Sequence, residues 1–425
     1  MPAVQLSMIE TYSYTDFSVE VHTRTMPDRV PVNGIIEVTH RCPLECSHCY
    51  NNLPMGDAQA RRRELTTEEH KRLLDELAEM GCLWLCYSGG EIFARHDFLE
   101  IYTYAKEKGM LVTLFTNGTM ITDRIADFLV ENPPFSVEIT LYGRTKATYE
   151  ALTGIPGSFE KCMRGIRLLM DRNLPLKLKT VAVTINKHEV RAMQRFAEEL
   201  GVEFKFDSMM NPRIDCSSSP LEVRLTPVEV VAIDIDDPER IAAWRALAEL
   251  GADTPVPGES RHLYQCGGGV NTFAIDPYGD LSICVLSHND RYNVRDGSMR
   301  EGWEMFLRTV REKRISRVTK CTTCPLTSLC GSCAAFGELE NKDPEEPVDY
   351  LCRTSHLRAD IFGVDIREHG DCEYCPGGSH RAEIDAMAHE VRTHGRDIAS
   401  AIAAVPAGVA SAGCGTGACS SCSLH

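Results

Sequence analysis

Strand-like runs alternate with helical patterns through the first half of the chain, and this alternation constrains the fold more than any other feature. The strand-like runs lie at residues 34–39, 84–88, 110–115, 135–141, 176–184 and 202–207. The helical patterns lie at about 66–81, 96–108, 122–131, 158–172 and 187–200. Six strands separated by helices predict right-handed βαβ units and a parallel sheet. An open or partial barrel and a doubly wound sheet both fit this count, and in either fold ligands bind at the C-terminal ends of the strands.

Three cysteines follow the first of these strands. Cys42, Cys46 and Cys49 lie within eight residues, so one loop can direct three thiolates towards one point. Half of a zinc site and chance clustering are the simpler interpretations, but a structural zinc ion is bound by four protein ligands. Three thiolates at a strand end favour a [4Fe–4S] cluster whose fourth iron is open to a non-protein ligand.

Two further motifs follow the second and third strands. They read Gly89-Gly90-Glu91 and Thr116-Asn117-Gly118. Together with the Cys-x3-Cys-x2-Cys spacing, they resemble the GGE and TNG segments of the radical S-adenosylmethionine (SAM) superfamily, with Ile92 where that family usually has proline. The resemblance covers about residues 34–215.

The resemblance implies a ligand for each motif. Cys42, Cys46 and Cys49 would hold a [4Fe–4S] cluster whose open iron chelates the amino and carboxylate groups of SAM. The GGE segment would contact the methionine amino group, the TNG turn would lie near the ribose, and His48 would lie near the adenine. In this family, reductive cleavage of SAM produces a 5′-deoxyadenosyl radical that abstracts a hydrogen atom from the substrate.

A second group of cysteines follows a change in texture at about residue 256, where elements become short and turns become rich in glycine. Its members are Cys266, Cys284, Cys321, Cys324, Cys330, Cys333 and Cys352. Paired Cys-x2-Cys spacings fit a zinc ribbon, but the order of all seven resembles the SPASM domain, which binds auxiliary [4Fe–4S] clusters. The resemblance implies two auxiliary clusters: a distal one on Cys321, Cys324, Cys330 and Cys352, and a proximal one on Cys266, Cys284 and Cys333. Two residues separate Cys330 from Cys333, where the family usually has three.

The C-terminal extension carries a third group of cysteines. Its members are Cys372, Cys375, Cys414, Cys419 and Cys422. Five cysteines exceed what one cluster needs, so an additional metal site, a missing ligand of the proximal cluster, a mobile redox tail and a tail that is itself modified all fit. The fourteen histidines show no ligand spacing, and His380, His389 and His394 are expected to be exposed to solvent.

Composition narrows the classes of function. The net charge of −16 argues against a basic phosphate-binding face, so no nucleic-acid partner is expected. No run approaches the length of about twenty apolar residues that spans a membrane, and no signal-peptide core is present, so the chain is interpreted as cytoplasmic and without membrane association. Nineteen cysteines in such a chain favour metal ligation over disulfides.

The predicted fold class is α/β, with a partial (β/α)6 TIM-like barrel, a Cys-rich SPASM domain and a Cys-containing C-terminal tail. The predicted boundaries are an N-terminal extension with a short hairpin at 1–33, the barrel at 34–215, a bridging helical segment at 216–255, the SPASM domain at 256–365 and the C-terminal extension at 366–425.

These features predict a radical SAM/SPASM enzyme, an oxidoreductase-type maturase that modifies or crosslinks a ribosomally synthesised peptide. Enzymes of cofactor or haem-precursor biosynthesis and of sulfatase maturation share the layout and stay as alternatives. A non-enzymatic iron–sulfur carrier or zinc scaffold is the alternative from another class. The expected partners are the peptide, an electron donor of flavodoxin or ferredoxin type and, because only about thirty residues precede the barrel, a separate leader-peptide recognition protein.

Overall fold

The computed structural model describes residues 13–252 and 261–403. Its strands are β1 (Asn33–Thr39), β2 (Arg41–Cys42), β3 (Leu53–Pro54), β4 (Trp84–Gly89), β5 (Leu111–Thr116), β6 (Ser136–Thr140), β7 (Leu176–Val181), β8 (Glu203–Asp207), β9 (Thr272–Ile275), β10 (Asp280–Ser282) and β11 (Tyr292–Asn293). Its α-helices are α1 (Tyr14–Thr25), α2 (Ala58–Arg63), α3 (Thr67–Glu79), α4 (Phe98–Glu107), α5 (Asp123–Glu131), α6 (Lys146–Thr153), α7 (Ser158–Met170), α8 (Val190–Leu200), α9 (Pro227–Ile235), α10 (Pro238–Ala252), α11 (Met299–Glu301), α12 (Leu307–Glu312), α13 (Thr327–Cys330), α14 (Ala334–Asn341), α15 (Asp349–Phe362) and α16 (Arg381–Ala403).

The predicted parallel strands form the centre of the molecule. Nine strands share one sheet in the order β11-β10-β9-β1-β4-β5-β6-β7-β8, and every pair from β1 to β8 is parallel. A doubly wound sheet reverses its strand order at a switch point. Here the order follows the chain from β1 to β8, so the structure selects the partial barrel and confirms the predicted fold class.

Helix α3 shows how the sequence determines these elements. The backbone N–H of Glu69 donates to the Thr66 hydroxyl, and the Glu69 carboxylate accepts from the Thr66 N–H at 2.7 Å, so the predicted capping box is present. Leu74 and Leu77 lie on the face towards the sheet and are fully buried. Burial of such an apolar stripe, rather than helix propensity, stabilises a helix of this length.

The N-terminal extension departs from the prediction. Residues 14–25 form α1 instead of a hairpin, because Ser13 caps the first turn through Asp16. Phe17 and His22 on this helix contact the Trp84 ring, with centroids 6.0 and 5.0 Å away. These tertiary contacts override the strand-like content of the segment.

The C-terminal half extends the same sheet. Strand β9 pairs parallel with β1 on the side opposite β4, and β10 and β11 continue antiparallel from it. The predicted bridging segment consists of two helices, α9 and α10, because Pro238 begins a new helix. Helix α9 packs against α15 and α16. Of the helices in the described ranges, none combines the length and the apolar character needed to cross a membrane.

Candidate active site

The loop that carries the first three cysteines is fastened at both ends. Strands β2 and β3 pair across its base. In its middle, the N–H groups of Glu45 and Ser47 donate to the carbonyls of Thr153 and Leu152, at the end of α6, at 2.9 and 3.1 Å. The Cys49 N–H closes a turn onto the Cys46 carbonyl at 3.0 Å. These backbone hydrogen bonds therefore hold the loop against the barrel.

One cavity of about 320 Å³ collects the predicted SAM-site residues at the C-terminal ends of the parallel strands. The predicted residues that line it are Cys42, Cys46, His48, Cys49, Gly89, Gly90, Thr116 and Asn117. The C-terminal ends of β1 and β4 are joined directly, because the N–H of Gly90, just after β4, donates to the carbonyl of Thr39 in β1 at 2.7 Å. Eight of the ten predicted positions thus face one space, and the two exceptions are Glu91 and Gly118.

Glu91 has a different position from the one its motif suggests. Its carboxylate is buried and accepts hydrogen bonds from the Thr116 hydroxyl at 2.7 Å, the Asn117 N–H at 2.9 Å and the Phe93 N–H at 3.2 Å. Burial raises the pKa of Glu91 to about 7 although these donors oppose it. The side chain therefore joins the GGE segment to the TNG turn and positions that turn, and contact of this segment with the methionine amino group stays a prediction.

The cysteine thiols are suited to a metal cluster. Burial raises the pKa of Cys42 to about 12 and also raises those of Cys46 and Cys49. Thiols of this kind ionise together with metal binding, so loading the site would release protons. The Leu44 N–H and the Asn117 amide each lie 3.5 Å from the Cys42 sulfur, where they can stabilise a thiolate.

His48 fits a role beside a bound ring. It is neutral, because burial lowers its pKa to about 4, and its ring centroid lies 5.2 Å from that of Tyr142. Its Nδ1 is buried and has no hydrogen-bond partner among the described residues. An unpartnered polar atom in a cavity wall is available to a bound ligand.

A buried polar network that the sequence interpretation missed lies beside the cluster loop. The Glu37 carboxylate accepts from the Tyr50 hydroxyl and the Asn51 amide, both at 2.6 Å, and His40 Nε2 lies 3.0 Å away. Tyr50 and Asn51 also line the cavity. A charged residue inside the apolar run of β1 was the available signal.

Comparison with known proteins identifies a domain of this chain. Residues 36–197 match the family described as the Radical SAM superfamily. The chain contains a radical SAM domain. It is 27% identical over 300 residues to the AdoMet-dependent heme synthase of Nitratidesulfovibrio vulgaris, covering 66% of this chain and 81% of that protein. It is 27% identical over 261 residues to the PqqA peptide cyclase of Bradyrhizobium diazoefficiens, covering 60% of this chain and 67% of that protein.

The fold agrees with this assignment. The structure of Streptococcus suis SuiB bound to its precursor peptide SuiA matches with a TM-score of 0.60 and 15% identity, covering 83% of this chain and 84% of that one. Radical SAM enzymes use a [4Fe–4S] cluster and SAM, and the Cys-rich C-terminal region of this chain is compatible with auxiliary clusters.

The three predicted ligands of the proximal cluster, Cys266, Cys284 and Cys333, lie near one another. Burial raises the pKa of Cys284, and the charges of Cys333 and Cys266 raise it further, so the three predicted ligands interact. Val285, the residue after Cys284, lines the SAM cavity. The chain next to Cys284 therefore reaches the predicted SAM site, whereas Cys266 and Cys333 line a second cavity that the distal group also lines.

The distal group is also brought together. A hydrogen bond from Cys352 lowers the pKa of Cys321, and Cys330 interacts with Cys321 and Cys324. A cavity of about 400 Å³ is lined by Cys321, Cys324 and Cys330. Ligation of auxiliary clusters by these groups stays a prediction.

The C-terminal group contains a correction. Cys372 and Cys375 are buried beside His356 and His369, so histidines of this chain do meet at a ligand distance, contrary to the expectation from spacing. His380, His389 and His394 are exposed, as expected. Cys414, Cys419 and Cys422 lie outside the described residues.

Proposed function

We propose that this radical SAM enzyme uses the cavity at the strand ends to generate a 5′-deoxyadenosyl radical and to modify a ribosomally synthesised peptide. The observation that carries the proposal is the convergence of Cys42, Cys46 and Cys49 with the ends of β4 and β5 on one cavity. The bound cluster would supply the electron for SAM cleavage, and the resulting radical would abstract a hydrogen atom from the substrate.

The chain's own residues would bind and orient the reactants. The three thiolates would hold the cluster, Asn117 and the backbone of Gly89 and Gly90 would contact SAM, and His48 would lie against its adenine. The auxiliary sites are proposed to accept an electron from the substrate radical or to bind substrate, and the position of Val285, next to Cys284, in the cavity wall supports this. A flavodoxin- or ferredoxin-type donor would reduce the clusters, and a separate protein would recognise a leader peptide.

Charge in the cavity favours a peptide over a tetrapyrrole. Among the described lining residues, Lys179 carries the single cationic side chain, and Glu138 lies 3.3 Å from its ammonium. A haem precursor presents several carboxylates, which require several cations when they leave water. The similarity to PqqA peptide cyclase supports the same choice, whereas the similarity to AdoMet-dependent heme synthase keeps the tetrapyrrole as the second candidate.

The first experiment tests radical generation. The protein is reconstituted anaerobically, its iron is counted, and dithionite and SAM are added. We expect 5′-deoxyadenosine from the native chain and none from Cys46→Ala, while the absorbance of the auxiliary clusters persists in that variant. Cys82→Ala, at a buried cysteine away from the cavity, is the matched control and should retain the activity. Absence of 5′-deoxyadenosine from protein with a filled first cluster would contradict the enzymatic assignment.

The second experiment separates the two substrate classes. Short peptides encoded beside the gene and an iron coproporphyrin are offered separately to the active enzyme, and products are measured by mass spectrometry. Peptide modification predicts a mass change on the peptide alone. A change on the tetrapyrrole alone would replace the peptide assignment with the second candidate.

A further inference from the structure

Four metal-ligating side chains meet between α15 and α16, outside the machinery described above. They are His356, His369, Cys372 and Cys375. One ligand atom from each lies within 4.8 Å of all the others. The four residues are between 2% and 7% exposed, so water cannot provide a ligand easily. A buried thiolate needs a partner of opposite charge, and a metal cation or a protonated imidazole can supply it.

The distances fit a tetrahedral zinc ion. Zinc–sulfur bonds of about 2.3 Å and zinc–nitrogen bonds of about 2.0 Å place sulfur and nitrogen ligands roughly 3.5 Å apart. Cys372 Sγ lies 3.5 Å and Cys375 Sγ 3.9 Å from His356 Nε2. The His369 ring faces Cys375 with Nδ1 at 3.1 Å and Nε2 at 3.9 Å from Sγ. Small adjustments of these side chains would complete the tetrahedron.

Backbone carbonyls orient both rings. His356 Nδ1 lies 2.8 Å from the Cys352 carbonyl, and His369 Nδ1 lies 3.0 Å from the Arg367 carbonyl. When Nδ1–H donates to these oxygens, Nε2 keeps its lone pair for a metal. A backbone acceptor for the second ring nitrogen is the usual support of a metal-binding histidine.

The mixture of ligands distinguishes this site from the auxiliary clusters. Two thiolates and two imidazoles in a tetrahedral arrangement suit a zinc ion or an iron–sulfur centre, and the predicted distal cluster already has four cysteines of its own. The two sites are neighbours, because His356 Nδ1 lies 2.8 Å from the carbonyl of Cys352, a predicted ligand of the distal cluster. The Lys320–Glu373 ion pair, at 2.6 Å, joins the two segments beside them.

We propose that His356, His369, Cys372 and Cys375 bind one Zn²⁺ in a closed structural site. Four protein ligands leave no position for a substrate, so the ion stabilises the fold. His356 belongs to α15, and the other three ligands lie in the segment that leads into α16. The zinc ion therefore ties the start of α16 to α15, beside the predicted distal cluster.

The test measures metal directly on the full chain. The protein is expressed with iron and zinc in the medium and purified anaerobically, and both metals are counted per chain. We expect about one zinc ion per chain, and a zinc X-ray absorption spectrum with two sulfur and two nitrogen neighbours. Less than about a fifth of a zinc ion per chain, or an all-sulfur spectrum, overturns the proposal. These measurements on the native chain do not depend on the folding of any variant.

Variants then assign the ligands. Cys372→Ser combined with Cys375→Ser should lower the zinc content about tenfold, because a closed site needs all its ligands, and should leave the iron content unchanged. Cys216→Ser is the matched control, since its thiol contacts the Glu338 carbonyl away from this site, and it should keep the zinc. Loss of iron with unchanged zinc in the double variant would show that these cysteines hold an iron–sulfur cluster instead.

Discussion

Gly165 lies in the middle of α7 and tests how closely this helix must approach the SAM site. A Cβ atom at this position would lie 2.2 Å from the carbonyl oxygen of Gly118, the last residue of the TNG turn. Contacts of Cβ shorter than 3.0 Å essentially do not occur, so the helix and the turn would have to separate by at least about 0.8 Å. The neighbour is a backbone oxygen, which cannot move away by a side-chain rotation.

The substitution Gly165→Ala sets two effects of opposite sign against each other. Alanine in a helix interior is favoured over glycine by about 1 kcal/mol. Overpacking costs about 1–3 kcal/mol, and a backbone neighbour places the cost at the upper end. We therefore expect a net loss of about 2 kcal/mol in the free energy of unfolding. If the turn moves to relieve the contact, SAM binding should weaken by up to roughly 30-fold.

Urea unfolding followed by circular dichroism measures the first quantity, and anaerobic calorimetry of the reconstituted protein with SAM measures the second. Gly56→Ala is the matched control, because nothing lies within 4 Å of a Cβ at Gly56, and it should change neither quantity. Higher stability of Gly165→Ala together with unchanged SAM affinity would refute the reasoning, since helix propensity alone would then explain the result.

Three other perturbations have expected outcomes. Glu91→Gln places an amide opposite buried N–H donors at a cost of about 1.5–3 kcal/mol. Calorimetry should therefore show SAM binding weakened about tenfold or more, with the iron content retained. Unchanged affinity would contradict the role of Glu91 in positioning the TNG turn. Asp234→Asn leaves the buried Arg358 guanidinium without the carboxylate that lies 2.9 Å from it. Urea unfolding should show the free energy of unfolding lowered by about 3–5 kcal/mol. A decrease below about 1 kcal/mol would show that the pair contributes little. The hydrogen bond from Arg295 lowers the pKa of Glu69 from 4.5 to about 2, so this pair stabilises the fold above pH 4.5 and loses its effect as the pH falls towards 2. Glu69→Gln should flatten that part of the pH dependence of unfolding in the metal-free protein, and an identical pH profile would exclude the pair as its source.

The barrel could be predicted because its signals are local and repeated. Strand-like runs alternate with helical patterns along the chain, and some of the helices carry their own cap, as Thr66 and Glu69 show. Helix α6 was missed although Thr145 caps its start and Gly154 ends it, because it is only eight residues long. The hairpin expected in residues 1–33 was wrong because contacts with Trp84, distant in sequence, decide the state of that segment.

The candidate site was predictable to the level of motifs but not of side-chain direction. Parallel strands end at one edge, so motifs at successive strand ends had to converge. Nothing in the sequence shows that the Glu91 carboxylate turns inward to Thr116 instead of facing the cavity. The approach of His356 and His369 to Cys372 and Cys375 was missed because spacing was judged between histidines alone. His369 lies three residues before Cys372 and six before Cys375, which was the available signal.

Strand β1 connects the first three cysteines with the second group of cysteines. Its C-terminal end leads into the cluster loop, and its other edge pairs with β9, between Cys266 and Cys284. Gly34 stands opposite Phe273 in this pairing, and a Cβ at Gly34 would lie 2.1 Å from the ring, so the strand can carry this aromatic neighbour only because it has glycine there. A slip of one residue would turn every β9 side chain to the opposite face. The register of β1 with β9 therefore determines where the second group of cysteines lies relative to the cavity at the strand ends. This register explains how Val285 comes to line that cavity.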